Sequence, residues 1–484
     1  MAEVDEDIAK RLLGSKIFFL LLFGLAQNAT FGCHAVAGPE ADFIELDPLD
    51  CSVHQWVHSS VSSMSLALSL FAVSSADAVS ATWTGSSSGV WATTGNWNAS
   101  PVPGTGNTAT FNAASSNTSI NLGAGVLINT LLFDTSGAAA YTLGTGAVGS
   151  QTLTLNDSGA ITVNSTVSTS QLVNANVVLE LNATPAFYSF TNNSATNGQL
   201  LTIAGNVSSG LGSSPPSAIK TLTLGGGADG LISGIISGDG SGSGSSKTAT
   251  VAITKTGAGL WTLAGANTYT GLTTVTTGRL LANNTSGSGS GFGAVSVAVN
   301  GILGGTGTIA PTGTNAINVS GVLAPGGSVS TGNLTFNLSG TTGTVAMASG
   351  SGFEYQLGAA GLNIGATGTS DLLTLAGAAS GDFAFSNNTI NFLNSGAIGY
   401  YKLFDTSSNL TNTWTGLTVG GTGLITAGLA ISNLTPGLSG SLIMGGSSLG
   451  GSTGDIYLQV IPEPSAALLG GIGALLLLRR RRDS

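Results

Sequence analysis

Carboxylates are the side chains of this sequence best suited to catalysis. Cleavage of a polysaccharide needs two of them, as acid and base or nucleophile, on one face of the protein. Asp229 and Asp239 share a glycine-rich stretch, and the other acids between Val79 and Gln459 are widely separated along the chain. We therefore expect no catalytic activity, with a β-helical polysaccharide lyase or hydrolase as the less favoured alternative. The acids are Asp134, Asp157, Glu180, Asp229, Asp239, Glu354, Asp371, Asp382, Asp405 and Asp455.

Histidine and cysteine occur only near the start of the chain. Cys33, Cys51, His34, His54 and His58 all precede residue 60. The rest of the sequence therefore offers no thiolate or imidazole for a metal site or a histidine-dependent triad, and we expect no metal and no cofactor. Charged residues are 7% of the chain and the net charge is −10. Without a basic patch, nucleic acid is not an expected partner.

The last twenty-five residues, 460–484, have a three-part pattern. Pro462, Glu463 and Pro464 come first, and the prolines keep Glu463 on an extended segment because they cannot continue a helix. A short apolar helix is predicted at 465–478, followed by Arg479, Arg480, Arg481 and Arg482. Such a basic cluster stays in the cytoplasm and orients the membrane segment, so the bulk of the chain would lie outside.

In this order, the three parts resemble the PEP-CTERM sorting signal of Gram-negative bacteria. The resemblance implies recognition by an exosortase-type membrane protease and transient anchoring in the inner membrane by the C-terminal helix. Release or attachment at the cell surface or in the extracellular matrix would follow. The alternative is a plain C-terminal membrane anchor that is never processed.

Residues 1–78 read as an export region with two competing signal segments. One has basic residues before an apolar run at 17–26, and the other runs from Ser65 to Val73 and ends in Ala76-Asp77-Ala78. We prefer the second because the repetitive body starts directly after it, in which case translation starts at Met64. Both interpretations predict export.

The body, 119–455, predicts an all-β fold. The chain has 74 glycines, which suit turns, and the many threonines of the body suit short strands. Stretches such as Thr221-Leu222-Thr223-Leu224 alternate strictly. Stacked coils would satisfy every inner backbone group, which favours a parallel, right-handed β-helix. A set of immunoglobulin-like sandwiches is the alternative, but the proline-containing linkers it would need are missing.

One stretch, 253–283, carries the sharpest internal motif. It includes Trp261, Gly265, Tyr269 and Gly278, with strands and corners at intervals that fit about one coil. The pattern resembles the autotransporter-associated β-strand repeat. We expect Trp261 and Tyr269 to pack in the core.

The segment before the body, 79–118, is rich in tryptophan. Trp83, Trp91, Trp97 and Phe111 would cover the exposed first rung of a β-helix, as in the N-terminal segments of secreted β-helical passengers, which this stretch resembles. A sugar-stacking platform is the rival interpretation of the same residues.

Together these features predict an exported structural protein of the cell surface or extracellular matrix, with exopolysaccharide as a further candidate partner. A sugar- or ice-binding β-helix that uses threonine ladders is the alternative binding function.

Overall fold

In a computed structural model, the protein is described over residues 78–180, 186–210, 219–238, 250–327, 330–379, 381–394, 396–406, 414–446 and 451–463. All of these belong to one unit, Ala76–Ser484. Both predicted export segments lie outside the described residues, apart from Ala78, as do Pro464, the predicted helix 465–478 and Arg479 to Arg482. Within the described ranges, no helix is long and apolar enough to cross a membrane.

The described residues form short strands and one 3-10 helix, Thr94–Asn96, which confirms the all-β prediction. The strands of the first half are β1 (Ala81–Thr82), β2 (Thr108–Phe111), β3 (Ser119–Ile120), β4 (Val126–Phe133), β5 (Thr142–Leu143), β6 (Thr152–Val163), β7 (Gln171–Val173), β8 (Asn176–Leu179), β9 (Ala186–Asn192), β10 (Leu201–Ile203), β11 (Val207–Ser209), β12 (Ile219–Gly225), β13 (Gly230–Ile232), β14 (Ile236–Ser237), β15 (Thr250–Lys255), β16 (Leu260–Leu263) and β17 (Thr273–Ala282).

Those of the second half are β18 (Val295–Gly305), β19 (Thr308–Ile309), β20 (Ile317–Val319), β21 (Val322–Pro325), β22 (Asn333–Asn337), β23 (Val345–Met347), β24 (Gly352–Tyr355), β25 (Leu372–Ala376), β26 (Phe383–Ala384), β27 (Asn388–Phe392), β28 (Gly399–Thr406), β29 (Trp414–Thr415), β30 (Thr418–Val419), β31 (Ile425–Ala427), β32 (Leu429–Ser432), β33 (Leu438–Met444) and β34 (Ile456–Pro462).

Parallel pairing stacks the strands in three columns. The first column runs from β1 through β2, β9, β12, β15, β17 and β18 to β29. The second runs from β3 through β7, β13, β16 and β21 to β32. The third contains β8, β11 and β14, and later β19, β22, β25 and β28. Since the chain passes from column to column and returns one rung later, the fold is the predicted parallel β-helix.

Successive coils differ in length. Ile253 pairs with Thr273, and Thr273 pairs with Val295, so the chain returns to the first column after a short coil in both cases. The coil that separates Leu222 from its partner Ile253 is clearly longer. The columns nevertheless stay in register because the additional residues lie between strands, at the corners.

The core follows the alternation seen in the sequence. Leu222 and Leu224 in β12 are fully buried, while the threonines beside them are partly exposed. Trp261 and Tyr269 are also fully buried, as expected for core residues. Each coil therefore contributes inward apolar side chains to one continuous core, and hydroxyl-bearing side chains face outward.

At the corner between the first and second columns, glycines of successive coils lie directly above one another with their backbones in close contact. Gly257 and Gly278 have φ values of +72° and +71°, in the left-handed region that favours glycine. A Cβ on Gly278 would lie 2.2 Å from the carbonyl oxygen of Gly257, and one on Gly257 would lie 2.4 Å from that of Gly226. A side chain at either position would push the coils apart.

The aromatic residues before the body form one buried cluster. The Trp97 ring lies 5.1 Å from that of Trp83 and 4.7 Å from that of Trp91, and all three pack near Phe111. The three indoles are buried, so their faces are not open for stacking on a sugar.

A second aromatic cluster, which the sequence analysis missed, lies among the last coils. The Trp414 ring is 5.2 Å from that of Phe383, and Phe353 and Phe404 meet edge to face at 5.1 Å. Phe385 contacts Phe353, Phe383, Phe404 and Trp414. Rings of this size fill the space between short strands of the final coils.

The last two strands break the parallel pattern. β34 pairs antiparallel with β28 and with β33. Leu438–Met444 forms β33, although the stretch around it, 437–455, is rich in glycine. The first three residues of the predicted sorting segment, Val460 to Pro462, belong to β34.

Candidate processing site and its supports

The predicted processing motif begins where the last described strand ends. Pro462 is the final residue of β34 and pairs with Leu438 of β33. The Glu463 N–H donates to the carbonyl oxygen of Gly437 at 2.8 Å, and both Pro462 and Glu463 are exposed. An extended, exposed backbone is one of the forms in which proteins recognise peptide ligands. Pro464 and the four arginines predicted as site residues lie outside the described residues.

A partly buried ion-pair cluster of Lys402, Asp405 and Asp455, the Lys402 cluster, fixes β34 to the body. Lys402 of β28 donates to Asp405 at 2.9 Å and contacts Asp455 at 2.8 Å. The Asp455 side chain is 1% exposed and also accepts from the Thr406 N–H at 2.9 Å and the Tyr457 hydroxyl at 3.0 Å. Burial lowers the pKa of Lys402, but hydrogen bonds to the two carboxylates outweigh this, so its pKa is raised above the usual value.

A second cluster joins residues far apart in sequence. Arg279 of β17 donates to Glu354 of β24 at 2.6 Å. Nearby, Asp371 accepts from the backbone N–H groups of Gly332 at 3.0 Å and Gln356 at 2.7 Å. Burial raises the pKa of Asp371 to about 7, although these two hydrogen bonds and Arg279 each lower it.

Several other acids serve as local supports. Asp134 accepts from Asn164 at 2.8 Å, and Asp229 accepts from the Leu260 N–H at 3.0 Å. Asp157 accepts from Tyr188 at 3.2 Å. These contacts join neighbouring coils or close turns. Asp239 lies outside the described residues.

The structure thus brings together acids that looked separate in the sequence, as at Asp405 and Asp455. Both carboxylates contact the same Lys402 ammonium, so they lie within the roughly 10 Å over which the two acids of a glycosidase act. Here, however, the Lys402 ammonium lies between them, and the Asp455 side chain is buried and shared with structural donors. Within the described ranges, no group of three or more histidine, cysteine or acidic residues could hold a metal ion.

Lys255, a buried lysine, supports a corner within the 253–283 motif. The Lys255 Nζ donates to the carbonyl oxygens of Thr256, Gly257 and Thr277 at 2.7, 2.8 and 3.2 Å. Burial lowers the pKa of Lys255 to about 8, while the negative charge of Asp229 acts in the opposite direction. Lys255 therefore supplies donors to three backbone carbonyl oxygens at this corner.

The comparison with known families falls on this same region. Residues 253–282 match the family model described as passenger-associated-transport-repeat. No curated protein matches the chain. In the structure, the matched residues run from β15 through β16 to the end of β17, so they contain one complete coil and the first two columns of the next. A passenger repeat within a parallel β-helix indicates an exported, cell-surface passenger.

Proposed function

We propose that this protein is a non-catalytic surface or matrix passenger that an exosortase-type membrane protease sorts through Pro462, Glu463 and Pro464. The helix at 465–478 anchors the chain transiently in the inner membrane, and Arg479 to Arg482 remain on the cytoplasmic side. The protein then passes to the cell surface or the extracellular matrix.

The observation that carries the proposal is the position of Glu463. It is exposed directly after the extended strand β34, and its N–H donates to the carbonyl oxygen of Gly437. Cleavage beyond this residue would leave β34 and all its partners in the mature protein. The body would therefore keep its fold after losing the anchor.

The contacts made by the acidic residues of the body support a structural role. Glu354 and Asp405 are engaged by basic side chains, and Asp371 and Asp455 are buried supports. The passenger match supports display outside the cell. An enzyme would instead need an accessible acid pair free to exchange protons with a substrate.

Mass spectrometry of the mature C-terminus tests the sorting step. The wild-type protein is expected to lose Arg479 to Ser484 in cells that contain the protease. The variant Pro462→Ala/Glu463→Ala/Pro464→Ala is expected to keep them and to stay in the membrane fraction. A matched variant, Ser465→Ala, should be processed normally. Retention of the arginines on every wild-type copy would refute the proposal and favour a permanent anchor.

A further inference from the structure

The outer face of the first column carries an ordered array of hydroxyl groups that the sequence does not display. Thr223 pairs with Thr254, and Thr254 pairs with Thr274, although the two coils that separate them differ in length. Ser189 precedes this row and Ser296 follows it, each in register. Although the coils differ in length, five hydroxyl side chains therefore form a regular row with a spacing of one strand separation, about 4.8 Å. They are Ser189, Thr223, Thr254, Thr274 and Ser296.

The array is wider than one row. In each strand the next outward positions lie two residues away, about 6.6 Å along the strand. Thr250 and Thr270 meet at 3.3 Å between their hydroxyl oxygens, and a Cβ on Gly225 would touch the Thr256 hydroxyl at 3.1 Å. The outward residues of three successive coils are Ile219, Thr221, Thr223 and Gly225, then Thr250, Ala252, Thr254 and Thr256, then Thr270, Leu272, Thr274 and Thr276. We call this set the threonine face.

The hydroxyls of the central row are available to a ligand. Thr223, Thr254 and Thr274 are partly exposed, and within the described residues their hydroxyl groups have no protein hydrogen-bond partner. The face also has no charge, because the lysines of these strands, Lys220 and Lys255, are buried and point inward to backbone carbonyls.

Exposed apolar side chains border the hydroxyls. Phe187 is 57% exposed and lies in register with Thr221, one coil before the three. Leu272 is 47% exposed and Ile219 is 53% exposed. A surface that combines free hydroxyls, an aromatic ring and no charge is complementary to a neutral sugar chain, whose hydroxyls accept and donate hydrogen bonds and whose C–H faces stack on rings.

We propose that the threonine face binds a neutral polysaccharide that lies across the coils. Within one row the hydroxyls repeat at about 4.8 Å, close to the length of one sugar ring, so neighbouring sugars of an extended chain meet equivalent groups. Ice is less well suited, because Phe187 projects at one end and Ala252, Leu272 and Gly225 interrupt the hydroxyl lattice. The proposal does not depend on the sorting tail.

Co-sedimentation of the full chain with insoluble cellulose and with insoluble chitin tests the face. The wild type is expected to bind at least one of the two polymers. The variant Thr254→Glu/Thr274→Glu should lose binding at least tenfold, and Phe187→Ala should weaken it severalfold. Thr262→Glu is the matched control, since Thr262 is an outward threonine of the same coil in the second column. Circular dichroism verifies that each variant is folded.

Each remaining outcome overturns the proposal. Failure of the wild type to sediment with either polymer would show that the face does not bind neutral glycans. An equal loss in Thr262→Glu would place binding elsewhere on the coil. Inhibition of ice-crystal growth without polymer binding, abolished by Thr254→Glu/Thr274→Glu, would assign the face to ice instead. Tail processing is measured separately, so it can fail without affecting these results.

Discussion

Replacing Lys402 with methionine should destabilise the last strand, β34, more than replacing Asp405, the more exposed of its two acidic partners. Lys402→Met leaves the Asp455 carboxylate, 1% exposed, with hydrogen bonds from the Thr406 backbone N–H and the Tyr457 hydroxyl. Removing one partner of a buried ion pair typically costs about 3–5 kcal/mol. Because the Lys402 side chain is 26% exposed and solvent takes up part of its role, we expect about 2–4 kcal/mol.

Hydrogen exchange of the β34 backbone amides measures this loss of stability at the strand itself. A penalty of about 2–4 kcal/mol corresponds to roughly 30- to 700-fold faster exchange of amides that open locally with β34. Asp405→Asn removes the 27% exposed partner and should cost about 0–1 kcal/mol, so its β34 amides should change less than about fivefold. Amides of β12, many coils away, serve as the internal reference.

A double variant distinguishes two causes of the destabilisation, the unpaired buried charge and the lost side-chain packing. In Lys402→Met/Asp455→Asn the buried position 455 no longer carries a charge, and the remaining Asp405 carboxylate is 27% exposed to solvent, so β34 should recover at least half of the lost protection. Equal exchange of β34 amides in Lys402→Met and Asp405→Asn would refute the reasoning. So would unchanged exchange in Lys402→Met.

Three further predictions concern the core, the pH response and the tail. Trp261→Ala should cost about 3–5 kcal/mol in urea unfolding, because the indole is fully buried and donates to the Gly225 carbonyl at 3.0 Å, whereas the outward Thr262→Ala should stay within about 0.5 kcal/mol. The pKa of Asp371 is raised to about 7 in the folded state, so between about pH 4 and 7 the folded protein holds a proton that the unfolded chain has lost, and the stability from this group falls as the pH rises. Asp371→Asn should reduce the fall of the urea midpoint with pH. An unchanged dependence of the midpoint on pH would contradict this. Inserting Gly-Ser-Gly-Ser before Pro462 moves the motif away from β33 and should speed loss of the C-terminal arginines in cells, measured by mass spectrometry over time; an unchanged rate would show that the closeness of the body does not limit processing.

The sequence predicted the architecture well because the relevant signals are local. Alternation in β12 assigns the inward leucines, and the motif that contains Trp261 and Gly278 marks strands and corners within one coil. These features depend on neighbours a few residues away. A parallel β-helix then follows from the need to satisfy the backbone of many short, uncharged strands.

Contacts between coils were not predictable in the same way. Arg279 meets Glu354 only because the intervening coils have particular lengths, and Lys402 meets Asp455 only because the chain reverses into an antiparallel hairpin. The threonine face depends on the same information. Its rows appear only when coils of unequal length are superposed, which no fixed sequence period reveals.

The antiparallel end of the fold is compatible with the tail removal that we propose. A parallel column ends in an open edge, and an open edge invites pairing with another chain. β34 covers β28, and β33 follows as the outer strand, with the Met444 N–H bonded to the Gly423 carbonyl oxygen. Because this cover is complete at Pro462, the proposed cut beyond Glu463 would remove the proposed anchor without reopening the third column. A truncation before Ile456 would instead expose β28, and we expect such a protein to aggregate while a chain ending at Pro464 remains soluble, as size-exclusion chromatography of the two can establish.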